Sequence, residues 1–464
     1  MARHRSASLS DAWAARGIWF TMASRSEELR AYRFATRRLL GAAVGQRADG
    51  NLPQFRRGGG AIGAGVVIAV LSLAAFAAIG LISPTAPNWR RTDAVIVEKE
   101  TGARFVYVNG MLHPVLNYAS ARLVIGAADA TTVTVSHADL TGAPRGATLG
   151  IAGAPDSLPP AAGLFSGGWS VCSSADGSAA TVVSGSVSGG RSLRDSAVLA
   201  VTADGTQYLI WHDRRFRIAD PDVIVSVPLN GAGEPRPVPD VIVNALPPGS
   251  DLKAITFARD GRSTASSLTT GTVVYTGETP DERIYGLVRR NDIAIITPLQ
   301  SDVLVDEGAT GPVKVDQRTF DGAAPSIGVG ADWPADTPTF APRNTTLCVG
   351  LDDAGAVTNV ATAATVPADD GPTSANATRL VVPPGRAVLV RAGVAPGASG
   401  AAIASAPVYL VTDADELFAI ADKDALTSLG YAAAKVVTLP SDVVNALPSG
   451  VVLSRTAAQS AGER

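Results

Sequence analysis

Short apolar runs broken by polar turns recur along most of this chain, and the clearest set lies near its C-terminus. YLVT (409–412) and LFAI (417–420) read as strands joined by a turn through Asp413, Ala414 and Asp415. ADKDALTSLGY (421–431) predicts a short helix that starts at Asp422 and stops at Gly430. KVVTLPSDVVNALPSG (435–450) then predicts a strand, a helical turn entered through Pro440 and Ser441, and a stop at Pro448 and Gly450. The unit is strand, turn, strand, helix, strand, turn.

The same order begins at YLIWHDRRFRIADPD (208–222) and ends in VPDVIVNALPPG (238–249). VNALPPG (243–249) and VNALPSG (444–450) differ at one position, which marks a duplicated unit. A more divergent copy begins at FVYVNGMLHPVLNYASARLVIG (105–126), with Asn109-Gly110 as its hairpin turn. Its continuation, TVSHADLTGAPRG (134–146), lies without a gap over TLPSDVVNALPSG (438–450) and keeps the proline and glycine. The repeat-closing turns are therefore Pro144 and Gly146; Asn244, Pro247 and Gly249; and Asn445, Pro448 and Gly450. A fourth candidate, IYGLVRRNDIAIITPLQSDVLV (284–305), shares the strand–turn–strand start and then departs from the pattern.

Gly/Ser-rich material (173–192) and the strands in TRLVVPPGRAVLVRAG (378–393) belong to no repeat, so they predict a separate central β domain. The expected architecture is a single N-terminal transmembrane helix followed by an extracytoplasmic α+β, mainly β, region. In that region a central β domain is flanked by about four small αβ repeat modules. The expected boundaries are 1–57 for a cytoplasmic Arg-rich segment with an amphipathic helix and 58–84 for the membrane helix. The first module takes 85–159, the first part of the central domain 160–206, and the second module 207–265. A divergent third module takes 266–310, the rest of the central domain with its linkers 311–406, and the last module and tail 407–464.

The membrane helix rests on AIGAGVVIAVLSLAAFAAIGLI (61–82), where no charge occurs between Arg57 and Arg90. At 1.5 Å per residue this run spans about 33 Å, enough for a bilayer core. The alternative, a buried helix of a soluble protein, is disfavoured by the absence of any polar stripe together with the Arg-rich flank. Charge changes sign here: residues 1–57 hold eleven Arg and four acids, while the whole chain carries −3. The Arg bias keeps the N-terminus in the cytoplasm and sends the rest outside. The run starts too far into the chain and is too long for a cleaved signal peptide.

Arg30, Arg33, Arg37 and Arg38 fall largely on one helical side, with Phe34 and Leu40 among the apolar residues beside them. Such a helix suits docking to cytoplasmic partner subunits or lying on anionic lipid. Nucleic-acid binding is not called for, because orientation already accounts for the charge.

Cys172 and Cys348 both fall on the predicted outer side, where disulfides persist, and only one intramolecular pairing is available. Two unpaired buried thiols are the alternative. Neither cysteine belongs to a CxxC or CxxH pair, and His4, His113, His137 and His212 form no HxxH or HxxxH pair, so zinc has no evident site. The acids Asp413, Asp415 and Glu416 lack the twelve-residue calcium-loop pattern. No G-x-S-x-G elbow occurs.

Several stretches together resemble EccB, the membrane-anchored component of the actinobacterial type VII (ESX) secretion system. They are LRAYRFATRRLLGAAV (29–44), GARFVYVNGMLHPVLNYASARLVIG (102–126), LGIAGAPDSLP (149–159), WSVC (169–172) and YLVTDADELFAIADKDALTSLGY (409–431). The resemblance implies four repeats around a central β domain and a disulfide between Cys172 and Cys348. It also implies a role as a structural subunit of an inner-membrane complex with EccC, EccD and EccE that exports small WXG-type proteins, and contact with further copies of itself. The DADELFAI turn departs from the Gly-containing turn and Tyr-Pro pair common in the family.

EccB proteins are often catalogued as ATPases, which makes ATP the one cofactor to test. The nearest approach to a phosphate loop, GSVSGGRS (185–192), has Arg191 in place of the lysine and leads into the strand-like SAVLAVTADG. No catalytic, cofactor or metal residue is assigned. An ATPase with an unrecognised site and a cell-wall-binding repeat protein are the alternatives to a scaffold.

Overall fold

The computed structural model describes residues 25–45, 55–82, 88–225, 229–259, 261–264, 266–328, 330, 332–336, 338–367, 378–393 and 406–460. The chain divides into two compact units, Met1–Thr85 and Ala86–Arg464. Among its described residues the first holds two helices, α1 (Arg25–Gly45) and α2 (Phe55–Ile82). Side chains in α2 are described from Ile62 to Phe76, and all are exposed. Among the described residues no helix is long and apolar enough to cross a membrane. That described stretch is shorter than the uncharged run 61–82, so the membrane reading rests on the sequence.

The described residues of the second unit form five sheets. In chain order, β1 (Ala94–Glu98), β2 (Arg104–Val108), β3 (Met111–Pro114) and β4 (Thr131–Val135) form the first. β5 (Trp169–Ser173), β6 (Ala180–Ser184) and β7 (Arg191–Ser192) enter a central sheet. β8 (Ser196–Val201), β9 (Gln207–Trp211), β10 (Arg214–Ile218) and β11 (Arg236–Pro237) form a second module sheet. β12 (Thr272–Thr276), β13 (Ile284–Val288), β14 (Ile293–Ile296) and β15 (Thr310–Lys314) form a third. β16 (Thr339–Phe340) pairs with β8, and β17 (Leu347–Leu351), β18 (Val357–Thr362) and β19 (Thr378–Val381) complete the central sheet. β20 (Ala387–Gly393), β21 (Val408–Thr412), β22 (Leu417–Ile420) and β23 (Val437–Pro440) form the last.

All four module sheets share one topology. The strands run in the order third, second, first, fourth, with only the first and fourth parallel. A parallel neighbour needs a crossover, and a short helix provides it in each: α3 (Tyr118–Ile125), α4 (Pro221–Ile224), α6 (Pro298–Asp306) and α7 (Lys423–Ser428). The caps are local: Asn117, Thr297 and Asp422 each accept a hydrogen bond from a backbone N–H in the first turn. Asn109 and Gly110, both at positive φ, make the β2–β3 hairpin turn.

Three strand placements differ from the sequence-based layout. β8 and β20, expected in the central domain, are the first strands of the second and last modules. The third module does not lose the pattern after β14; it continues through α6 and closes with β15, beyond the expected end at 310. The central sheet has the order β19-β6-β5-β17-β18-β7. The largest core joins this sheet to the second and last modules through residues such as Trp169, Val349, Ile242 and Val443. Separate cores fuse the first module with the last, and the second with the third.

Candidate functional site

The repeated turn docks on its own sheet. Leu112 in β3 donates to the Pro144 carbonyl (2.8 Å) and accepts from the Gly146 N–H (3.1 Å). Arg215 does the same with Pro247 and Gly249 (3.0 and 2.7 Å), and Leu417 with Pro448 and Gly450 (2.9 and 2.9 Å). A second rung follows, where Leu149, Leu252 and Leu453 bridge Val115, Ile218 and Ile420. The returning chain thus caps the edge of the third strand in each of these modules.

The glycines have a steric cause. None of the three is among the residues at positive φ. A Cβ at 146, 249 or 450 would instead run into the ring of His113, Phe216 or Phe418, each one residue after the docking position. The third module has no Pro-x-Gly; there Ala324 donates to Ile293 and accepts from Ile295 (2.8 Å each). Asn244 ends the helix α5 (Asp240–Asn244) and accepts from the Arg215 guanidinium, and Asn445 ends the equivalent helix α8 (Ser441–Asn445).

Arg122, which sequence reasoning passed over, ties the first module to the last. Buried in α3, it donates to the carbonyls of Ser428 (3.1 Å), Ala130 (2.5 Å) and Ala128 (2.8 Å). Gly430 has φ +87°, and a Cβ there would lie 2.8 Å from Arg122 Nη2. Beside it, the Tyr431 hydroxyl donates to the Pro159 carbonyl (2.7 Å), and burial pushes its pKa up. Arg455, in the C-terminal helix α9 (Arg455–Gln459), donates to the Leu123 carbonyl (3.3 Å). Two guanidiniums at the C-terminal end of α3 suit the helix dipole. The sequence signal was a lone charge inside the apolar stretch YASARLVIG.

Cys172 and Cys348 face each other on β5 and β17, with their Cα atoms 4.0 Å apart, and are joined by a disulfide. Both are buried. A cavity of about 670 Å³ lies beside them, lined by Ser170, Gly185, Gly189, Gly190, Gly350 and Asn359 among others, with no charged lining residue. The segment 185–192 thus ends in β7, paired with β18, and not at a helix N-terminus. A phosphate cradle needs the converged N–H groups that such a terminus supplies.

The remaining candidates have structural partners. His113 Nδ1 lies 2.9 Å from the Ala147 carbonyl oxygen, and His137 Nδ1 lies 2.6 Å from the Glu98 carboxylate. The Thr101 hydroxyl and then His137 hold Glu98 below the usual carboxylate range. His212 stacks on Trp211 at 3.5 Å. His4 lies outside the described residues. Asp413 accepts from the Gly385 N–H (2.7 Å), fixing the turn before β20. Among the described residues no group of three His, Cys, Asp or Glu side chains could hold a metal ion. In α1, the side chains of Arg30, Arg33, Phe34, Arg37, Arg38 and Leu40 are all exposed.

The family model described as "Type VII secretion system ESX-1, transport TM domain B" matches residues 21–463. The chain is 34% identical over 173 residues to the ESX-2 secretion system ATPase EccB2 of Mycobacterium tuberculosis (35% of this chain, 34% of that protein). It is 30% identical over 271 residues to the ESX-5 secretion system ATPase EccB5 of Mycobacterium marinum (53% of each). These matches span a third to about half of the relatives' own length. Among solved structures, a chain of the intact ESX-5 inner membrane complex shares the fold at TM-score 0.63 and 23% identity, covering 97% of both chains. A chain of the periplasmic assembly from that complex matches at TM-score 0.63 and 25% identity, covering 83% of this chain and 99% of that one. The family model takes in nearly the whole sequence, both units included, and the chain belongs to the EccB family.

Proposed function

We propose that this protein is a structural and assembly subunit of a type VII secretion membrane complex. In this reading it anchors the complex in the cytoplasmic membrane and forms part of its extracytoplasmic portion, where it supports export of WXG-type proteins. The observation that carries the reading is the likeness, over 83% of this chain, to a chain of the ESX-5 periplasmic assembly. The uncharged run 61–82 and the Arg-rich segment before it support one membrane pass with the N-terminus inside. Arg30, Arg33, Arg37 and Arg38, with Phe34 and Leu40, form the exposed helix that docks on EccC, EccD or EccE. Pulling down the tagged full chain from solubilised membranes should recover the other membrane subunits, and deleting residues 1–57 should release them. Recovery at full yield after the deletion would sink the docking role.

An ATPase is the second reading, favoured only by the names of the curated relatives. The charge-free cavity at 185–192 argues against phosphate binding there. ATP turnover by the purified full chain, lost on Arg191→Ala, would reverse that judgement.

A further inference from the structure

The fourth strand of each module is a potential open edge, and three of the four are closed. Beside β11 the 174–179 turn packs so tightly that Gly177 has no room for a Cβ against the Pro237 carbonyl. On β23, Thr438 donates to the Asp353 carbonyl (3.0 Å) at the turn between β17 and β18. β15 carries Pro312, which has no N–H to offer, and Lys314, paired with Glu278 at 2.7 Å. These are the usual devices against strand addition.

β4 has none of them. Its sequence, TTVTV, contains no proline, glycine or charge, and Thr131, Thr132 and Thr134 are exposed. Thr131 donates to Asp93 and Val135 accepts from Lys99, so the odd positions turn their backbone groups towards β1. In a parallel ladder the alternate residues, Thr132 and Thr134, then point theirs outward. Neither has a backbone partner among the described residues. Thr134 is the counterpart of Thr438 in the ungapped repeat alignment, and Thr438 is the residue whose N–H is capped.

We infer that β4 pairs antiparallel with β4 of a second copy of this chain, about a two-fold axis at Val133. In that register Thr132 meets Thr134 of the partner subunit, and both exchange N–H and C=O bonds. Val133 meets its own counterpart, which extends an apolar face that already packs against Ile96 and Phe105. A second copy satisfies all of this at once because the strand is self-complementary. The proposal rests on the reading of this protein as part of a multi-copy assembly.

The test uses the full chain in its membrane. Its native cysteines are already joined, so Val133→Cys adds the one free thiol. A directly opposed pair that is not hydrogen bonded brings Cα atoms to about 4.5 Å, within disulfide reach. Mild oxidation should give a reducible dimer with Val133→Cys and none with Thr310→Cys on the blunted edge. Thr134→Pro, added to Val133→Cys, should remove at least nine-tenths of the dimer while leaving the thermal midpoint of the monomer near its starting value. No dimer from Val133→Cys while the other membrane subunits still co-purify would overturn the strand pairing alone. Loss of those subunits from the unaltered chain would instead overturn the structural-subunit reading.

Discussion

Gly450 lies against the ring of Phe418, so close that a Cβ at position 450 would come within 2.6 Å of Phe418 Cε1. Phe418 is 2% exposed and packs in the core shared by the first and last modules. Gly450→Ala should therefore cost about 1–3 kcal/mol by overpacking. Phe418→Leu opens room, so the alanine should cost less in that background. A double-mutant cycle read by chemical denaturation gives the coupling. Equal costs in both backgrounds would mean the glycine serves some other need.

Much of the scaffold was legible because its punctuation is local. The hairpin glycine, the capping aspartate and Pro-x-Gly act within a few residues, so pattern reading finds them; the Asn117 cap was missed. The first strand of a module is different. β8 and β20 are plain apolar strands set in Gly/Ser-rich and Pro-rich surroundings, and their sheet is chosen by partners later in the chain. The third module hid its closure because Ala324 docks through its own N–H and C=O, which needs no glycine. Of the candidate site residues, the cysteines and turn glycines were readable as residue types. The reason for each glycine, a ring on a distant strand, was not.

Arg122 spans two modules that are some 300 residues apart in sequence, reaching Ser428 as well as Ala128 and Ala130. Arg122→Met keeps much of the bulk and leaves three carbonyls without their donor. The bonds to Ser428 and Ala130 are buried, and each buried unpaired group costs roughly 1 kcal/mol or more, so a loss of about 2 kcal/mol is expected. Amide exchange should quicken in Lys423–Ser428 before it does in β5 and β17. Uniform quickening across both regions would show that the arginine stabilises the whole unit and not this junction.

The disulfide closes a sequence separation of 176 residues between buried cysteines. Constraining an unfolded loop of that size contributes roughly 5 kcal/mol in the chain-entropy account, and 2–4 kcal/mol is commoner in practice. Replacing both cysteines by alanine should lower stability within that range. Reductant added to the native protein should act only as fast as the central sheet opens, since neither sulfur is at the surface. Fast reduction without unfolding would contradict the burial.

Asp176, in the turn that packs beside β11, has its carboxyl pulled down to about 2, first by the Ser174 hydroxyl and then by the N–H and hydroxyl of Ser178. A carboxylate held below its ordinary value of 3.8 stabilises the fold while it is ionised. Its contribution is complete above that ordinary value and is lost as pH falls through it towards 2. Asp176→Asn should lower the thermal midpoint by a constant amount above about pH 5, where the native carboxylate is fully charged. The gap to the unaltered protein should narrow below pH 4 and close near pH 2. A gap that stays constant down to pH 2 would mean that the turn is held by its shape and not by the charge on Asp176.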